Sequence, residues 1–180
     1  LRAGPAYGGS CFPKDTKAIT ISADKCQINL SVIKSVIKSN KNRSAILLKR
    51  VFDILKNKTK NKKICFLGVT FKANTDDMRD SSCLAMIPSI LKKGAIVNYF
   101  DPTGEKNELK KFKNVNFSKD VNSAIKDSDL IIIHTEWNEF KSINFKKAVQ
   151  NKKFIIFDMR NIYSPIKMKK QKIKYYSIGR

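Results

Sequence analysis

The chain has 180 residues, and 37 lysines and arginines against 15 aspartates and glutamates give a formal charge of +22. Its 42% hydrophobic content is enough for one or two domains with a true core, which excludes wholesale disorder. No run reaches the roughly 18 consecutive apolar residues of a membrane helix and no short apolar leader is visible, so a cytoplasmic protein without a membrane partner is expected. Leu1 stands where a Met would open a chain and leads straight into a Gly-rich segment, which predicts a piece of a longer polypeptide.

Residues 1–15 read as a loop, with Gly4, Pro5, Gly8, Gly9 and Pro13 close together. Pro13 suits the first turn of a helix that continues through Lys14, Asp15, Thr16 and Ala18, so the loop delivers Cys11 to a helix N-terminus. From 29 to about 58, Leu30, Ile33, Ile37, Leu47, Leu48, Val51, Phe52 and Leu55 recur at near-helical spacing with no Gly or Pro between them. One long helix of about 45 Å is predicted at 1.5 Å per residue, longer than a small domain is wide. Such a helix has to lean on something, either the rest of its own subunit or a second copy of the chain.

After a charged spacer at 58–63 the pattern changes. A strand is predicted at 64–69 (ICFLGV), followed by a polar loop and a helix at 82–92 carrying Leu84, Ile87 and Leu91, with Ser82 as its N-cap. Then come a strand at 95–100, a helix at 121–126, a strand at 130–133, a helix at 145–150 and a strand at 154–157. An edge strand at 173–178 is weakly signalled, because Pro165 and several lysines precede it. Gly94 and Asp127-Ser128 stop the helices before them. Strands alternating with helices predict an α/β fold in which a long central helix precedes a parallel sheet with helices on both faces and right-handed crossovers.

Cys11, Cys26, Cys65 and Cys83 form no CxxC pair, and the single His134 leaves a metal site short of ligands, so neither a disulfide framework nor a metal centre is expected. The lysines run from Lys14 to Lys174 without a basic arm, helix-turn-helix spacing or aromatic RNA-binding motif, which argues against a specific nucleic-acid partner. The turn after the first predicted strand is Gly68-Val69-Thr70-Phe71-Lys72, which lacks the GxGxxG cradle for a dinucleotide pyrophosphate. Cys11 stands apart from the other cysteines. Gly8 and Gly9 let backbone amides approach a ligand, a helix dipole and Lys14 favour a thiolate, and Asp15 lies one turn on, where it can orient a water or move a proton. Cys26, Cys65 and Cys83 read as packing residues, and His134 and Trp137 as structural.

The segment Gly4-Pro5-Ala6-Tyr7-Gly8-Gly9-Ser10-Cys11-Phe12-Pro13-Lys14-Asp15 resembles the catalytic cysteine loop of nucleotide-sugar dehydrogenases, the UDP-glucose/GDP-mannose dehydrogenase family. Three more blocks follow in the family's order: GVTFKANTDDMRDS at 68–81, Thr135-Glu136-Trp137 with Phe140, and Phe157-Asp158-Met159-Arg160. The resemblance implies a cysteine-loop and helical, dimerising region at 1–60 and a Rossmann-like UDP-sugar-binding domain at 61–180. It implies oxidation of UDP-glucose by two NAD+ and water to UDP-glucuronate, with Cys11 forming a thiohemiacetal and then a thioester. Asp15 then matches the aspartate that handles the water, while Arg2, Tyr7, Gly8, Phe71, Lys72 and Arg160 match substrate contacts. Arg79 and Lys14 match the side that faces NAD. The implied partners are UDP-glucose, an NAD-binding N-terminal domain of the same protein that these residues do not include, and a second copy making a homodimer through the long helix. Without that N-terminal domain the 180 residues are expected to be inactive. The alternatives are a GDP-mannose dehydrogenase, toward which Phe12 and the TFKANTDDMRDS block lean less, and a non-catalytic fragment that binds UDP-sugar or only dimerises.

Overall fold

The structure, a computed structural model, describes residues 4–151 and 153–179. Two helices come first, α1 (Phe12–Lys25) and α2 (Ser31–Ile54). Strands and helices then alternate: β1 (Lys63–Leu67), α3 (Cys83–Lys92), β2 (Ile96–Phe100), α4 (Asn107–Lys110), β3 (Val115–Phe117), α5 (Val121–Ile125), β4 (Leu130–Ile133), α6 (Phe145–Ala148), β5 (Ile155–Asp158), α7 (Pro165–Lys170) and β6 (Lys174–Ser177). The six strands form one parallel sheet in the order β3-β2-β1-β4-β5-β6. Strand order reverses between β1 and β4, which opens a crevice at their carboxyl ends, the usual ligand position of doubly wound sheets. The expected α/β architecture with a Rossmann-like sheet is the one observed.

The central strands are short and strongly apolar because both their faces are covered. Side chains alternate between the two faces. Ile64 and Phe66 of β1 join Leu130 and Ile132 of β4 in a core shared with Met86, Ile87 and Ile90 of α3. Cys65 and Leu67 face the other way, with Ile131, Ile133 and Ile156, against Ala124, Ile125, Phe145 and Met168. Leu47, Val51 and Ile54 of α2 are buried in the first of these cores, so the second half of α2 is anchored on the sheet. Truncating Leu47 or Ile54 to Ala would cost about 2–5 kcal/mol.

Helix α2 runs unbroken for 24 residues, about 36 Å at 1.5 Å per residue. It ends earlier than the sequence predicts because Lys56 and Asn57 take left-handed φ of 53° and 57°. Its first half meets α1, with Lys34 paired to Asp24 at 2.5 Å, and leaves Val32 75% exposed. Among the described residues, no helix is long and apolar enough to cross a membrane.

Several short elements escape sequence reasoning: α4, β3, a 3-10 turn at Asn138–Ser142 and α7. Each is shorter than two turns or four residues, too little for a hydrophobic period to show. Pro165 reads as a breaker in the sequence, yet it opens α7 in the first turn, behind a Ser164 side chain that accepts from Lys167 N–H. Ser82 occupies the N-cap position of α3 as expected, but its hydroxyl does not cap the helix; it is bonded to His134 instead.

Candidate functional site

Glycines pin the cysteine loop to the sheet. Asn40 of α2 clamps the backbone of Tyr7 from both sides, accepting its N–H and donating to its carbonyl, each at 3.0 Å. The Tyr7 ring meets Phe12 edge-on with centroids 4.7 Å apart. A Cβ on Gly8 would lie 2.7 Å from the Asp80 carbonyl oxygen, and one on Gly9 would lie 2.6 Å from Cζ of Phe71. Gly9 also has φ +84° and donates its N–H to the Arg79 carbonyl at 2.8 Å. Only glycine suits such close approach in a left-handed conformation. Cys11 follows as the N-cap residue of α1, exposed, with Sγ 3.5 Å from the Ser10 hydroxyl. Pro13 lies in the first turn, and Asp15, whose backbone N–H donates to the Cys11 carbonyl at 2.8 Å, pairs its carboxylate with Lys14 at 3.5 Å in solvent.

The blocks that the loop meets sit at the carboxyl edge of the sheet. Lys72 Nζ lies 5.4 Å from the centre of the Phe71 ring. Arg79 forks onto Asp77 through Nε at 2.9 Å and through its terminal nitrogen at 2.8 Å, both exposed on the guanidinium side. That hydrogen bond to Arg79 holds the Asp77 carboxyl below its ordinary range and pushes the guanidinium up in turn. Nearly buried, Arg160 donates through Nε to the His134 carbonyl at 2.8 Å and through a terminal nitrogen to the Phe71 carbonyl at 2.6 Å. The guanidinium also faces Gly4, where an added Cβ would come within 2.6 Å of it. Glu136 Oε2 lies 2.9 Å from Nε, but that N–H points at the His134 carbonyl, so this contact is ionic without a hydrogen bond. Burial pulls the Arg160 pKa down, and the Glu136 carboxylate opposes that shift.

His134 is fully buried, and burial with Arg160 beside it holds the imidazole far down, at about 3. Its hydrogen bonds fix one tautomer. Thr135 donates its hydroxyl to the Thr70 carbonyl at 2.7 Å and so accepts from Nδ1–H of His134, which leaves Nε2 to accept from Ser82 at 2.8 Å. This is the structural histidine expected from the sequence.

Tyr7, Gly8, Phe71, Arg79 and Arg160 are thus brought into one neighbourhood, with Lys72 stacked on Phe71 and Lys14 and Asp15 on the exposed first turn beside Cys11. Arg2 lies outside the described residues. A cavity of about 650 Å³ is walled by Gly9, Ser10, Lys14, Lys17, Arg79 and Asp80, next to Cys11. A second, of about 660 Å³, lies between Tyr7, Lys17, Asn40 and Ser82 and shares Pro13, Lys17 and Asp80 with the first. Asn40 and Glu136 are not singled out as site residues by the sequence, where one lies inside the long helix and the other inside the Thr135-Glu136-Trp137 block. Among the described residues no His, Cys, Asp or Glu cluster is fit to hold a metal ion.

The turn after β1 does not fit a nicotinamide dinucleotide. The amides of Val69 and Thr70, which a pyrophosphate would need, donate to Asp101 Oδ2 at 2.8 and 3.4 Å. Gly68, at φ +75°, is pressed so close to Thr135 that a Cβ would fall 2.4 Å from that residue's own Cβ.

Comparison with known proteins bears on the whole chain. The UDP binding domain of the UDP-glucose/GDP-mannose dehydrogenase family matches residues 65–165, and the family's central domain matches residues 1–42. A UDP-glucose 6-dehydrogenase of Rickettsia felis is 40% identical over 182 residues, covering 99% of this chain and 41% of the relative. Among solved structures, a UDP-glucose dehydrogenase from Pyrobaculum islandicum superposes with a TM-score of 0.78 at 25% identity, over 97% of this chain and 38% of that one. An NDP-N-acetyl-D-galactosaminuronic acid dehydrogenase from Methanosarcina mazei reaches 0.82 at 24% identity, over 100% and 40%, and shares the fold. The chain spans about two-fifths of the length of the curated relatives it matches.

Proposed function

Since the chain belongs to the UDP-glucose/GDP-mannose dehydrogenase family, we propose that it carries the cysteine loop and the UDP-sugar sheet of an enzyme that oxidises UDP-glucose to UDP-glucuronate. One observation carries this reading: an exposed cysteine at a helix N-terminus, on a glycine loop that rests on the Phe71 ring and the Arg160 guanidinium.

In this reading Cys11 Sγ adds to the aldehyde carbon of the sugar, and the carbonyl oxygen takes up a proton to give a thiohemiacetal. At the acyl level the same carbon is held as a thioester. Water adds to it, the carbon–sulfur bond breaks, and a carboxylate and a free thiol result, with Asp15 taking the proton from the water. Amides at the start of α1 favour the oxyanion that develops at the reacting carbon. Lys72 and Tyr7 hold the nucleotide sugar, Gly8 lets the loop close against the Asp80 carbonyl so that its own backbone lies beside the sugar, and Arg2 joins them. Arg160, already bonded to two carbonyls, acts mainly by fixing Phe71 and the loop around the substrate.

The two hydrides that separate the alcohol from the acid would be accepted one each by two NAD+ molecules bound in succession. Since the β1 turn does not fit the dinucleotide, its seat is proposed on a separate domain of the same protein, with Arg79 and Lys14 reaching toward it. A homodimer is proposed through the exposed apolar residues of α1, α2 and the turn between them, among them Ile21, Ile28 and Val32.

Calorimetric titration tests the substrate class. UDP-glucose is expected to bind saturably and more tightly than GDP-mannose, and Lys72→Ala to weaken it. Tighter binding of GDP-mannose, or no saturable heat with either ligand, would contradict the reading.

A further inference from the structure

The turn after β1 lies where the strand order reverses, the place at which doubly wound sheets seat phosphate groups on backbone amides. In this chain a protein carboxylate already sits there. Asp101 is the first residue beyond β2, and its side chain is completely buried. Oδ2 accepts from Val69 N–H at 2.8 Å and from Thr70 N–H at 3.4 Å, while Oδ1 accepts from the Thr103 N–H at 3.1 Å and the Thr103 hydroxyl at 2.6 Å. The ammonium of Lys106, itself 5% exposed, lies 3.9 Å from Oδ1 and donates to the carbonyl and hydroxyl of Thr103. The Lys106 N–H donates in turn to the Tyr99 hydroxyl at 2.9 Å, which anchors this stretch to β2.

Four hydrogen-bond donors and a cation closed around one buried carboxylate make up the surroundings expected for a bound oxyanion. A buried charge of this kind is costly unless every lone pair is answered, and here the answering groups come from two separate stretches of chain, 69–70 and 103–106. Asn at this position would turn an amide N–H2 toward one set of donors, so the site asks for an acid. From Thr70 the chain passes directly to Phe71, whose carbonyl accepts from Arg160 and whose ring covers Gly9.

We propose that Asp101 is a built-in anion occupying the phosphate seat of this sheet, a specificity-determining residue that closes the β1 turn to the pyrophosphate of a dinucleotide. Because it also fixes Thr70, it sets the direction in which Phe71 and Lys72 leave the turn. The sheet keeps the strand order of a dinucleotide-binding domain yet is left with the Phe71–Lys72 side for its own ligand. That last consequence rests on the UDP-sugar reading; the filled seat does not.

The test uses the 15N-labelled chain, with inorganic pyrophosphate as probe and the amide resonances of Val69 and Thr70 as the readout. With so many surface lysines, total binding would be uninformative, whereas these two amides report on the seat alone. In the wild type they are expected to stay in place as pyrophosphate is added. In Asp101→Ala they are expected to move saturably, with an apparent affinity at least about tenfold tighter than any wild-type response. Formate, which returns a carboxylate to the vacated space, is expected to compete with pyrophosphate and bring both resonances back toward their wild-type positions. Should Asp101→Ala be unfolded without ligand, the same two anions are expected to restore a dispersed spectrum.

Wild-type amides that move as readily as the variant's would overturn the proposal. So would a folded variant whose amides ignore both anions, or an unfolded one that neither anion rescues. UDP titrated into the wild type provides the separate control: its failure to bind sinks the nucleotide-sugar reading and leaves the Asp101 result standing, and the converse also holds.

Discussion

Replacing Gly9 by Ala strikes the contact that joins the cysteine loop to the sheet, and the structure allows its size to be worked out. The left-handed φ of +84° costs an L-residue about 1–2 kcal/mol. The new Cβ would also stand 2.6, 2.9 and 3.0 Å from three atoms of the Phe71 ring, an overpacking that costs about 1–3 kcal/mol if the ring is held. The ring is held, since the Phe71 carbonyl is bonded to Arg160 and its N–H to the Asp77 carbonyl. Against a total of about 2–5 kcal/mol, the loop is retained by the Gly9–Arg79 bond and the paired Tyr7–Asn40 bonds, each contributing about 0.5–1.5 kcal/mol. The two sums are comparable, so the loop should lift locally while the sheet stays folded. Hydrogen exchange at the Gly9 amide reads this directly: a shift of about 2 kcal/mol corresponds to about 30-fold faster exchange, with the global unfolding midpoint little changed. Gly104→Ala is the control, because Gly104 has φ +87° but nothing within 4 Å of an added Cβ. It should leave Gly9 exchange untouched. Unchanged exchange at residue 9 in the Gly9→Ala variant would refute the clamp between loop and sheet.

Further outcomes follow from the same geometry. Arg160→Lys should destabilise the chain by about 3–5 kcal/mol, because a lysine cannot serve both the His134 and Phe71 carbonyls and leaves Glu136 poorly paired; urea unfolding measures it, and a change below about 1 kcal/mol would contradict the bracket role. His134 has a folded pKa depressed from 6.5 to about 3, so the unfolded chain binds the proton first. Its contribution is therefore complete above about pH 6.5 and is lost as pH falls toward 3, at about 1.4 kcal/mol per pH unit. His134→Asn should flatten the pH dependence of the urea midpoint between these limits, and parallel curves for variant and wild type would count against a neutral buried imidazole.

The order of strands and helices in the second half of the chain was legible because both faces of the sheet are covered, which writes ICFL and LIII as unbroken apolar runs. The long helix was legible for the opposite reason: Leu47, Val51 and Leu55 mark a single buried stripe. What sequence could not show is where polar groups are spent. Ser82 stands at a helix start, and nothing local tells that its hydroxyl turns to a histidine 52 residues away. Arg160 reads as a cation for a ligand, yet the fold uses it on two carbonyls brought together only by the parallel pairing of β4 with β5 and the loop after β1. Asp101 carried a usable signal, an acid directly after a strand, but its significance depends on the neighbouring turn lacking a free amide pair. The glycine-rich loop announced close approach, while the surface it approaches, the Phe71 ring, lies 62 positions on and emerged with the fold.

The proposed chemistry requires Cys11 to be a poised nucleophile and not merely an exposed thiol. Cys26 is also exposed, whereas Cys65 and Cys83 are buried with thiols pushed up, that of Cys83 to about 12. Alkylation of the native chain near neutral pH, followed residue by residue by mass spectrometry with and without UDP-glucose, separates the four. Cys11 is expected to react at least about tenfold faster than Cys26, UDP-glucose to slow Cys11 alone, and Cys65 and Cys83 to stay unmodified until the chain unfolds. Equal rates at Cys11 and Cys26, indifferent to UDP-glucose, would contradict the proposed chemistry.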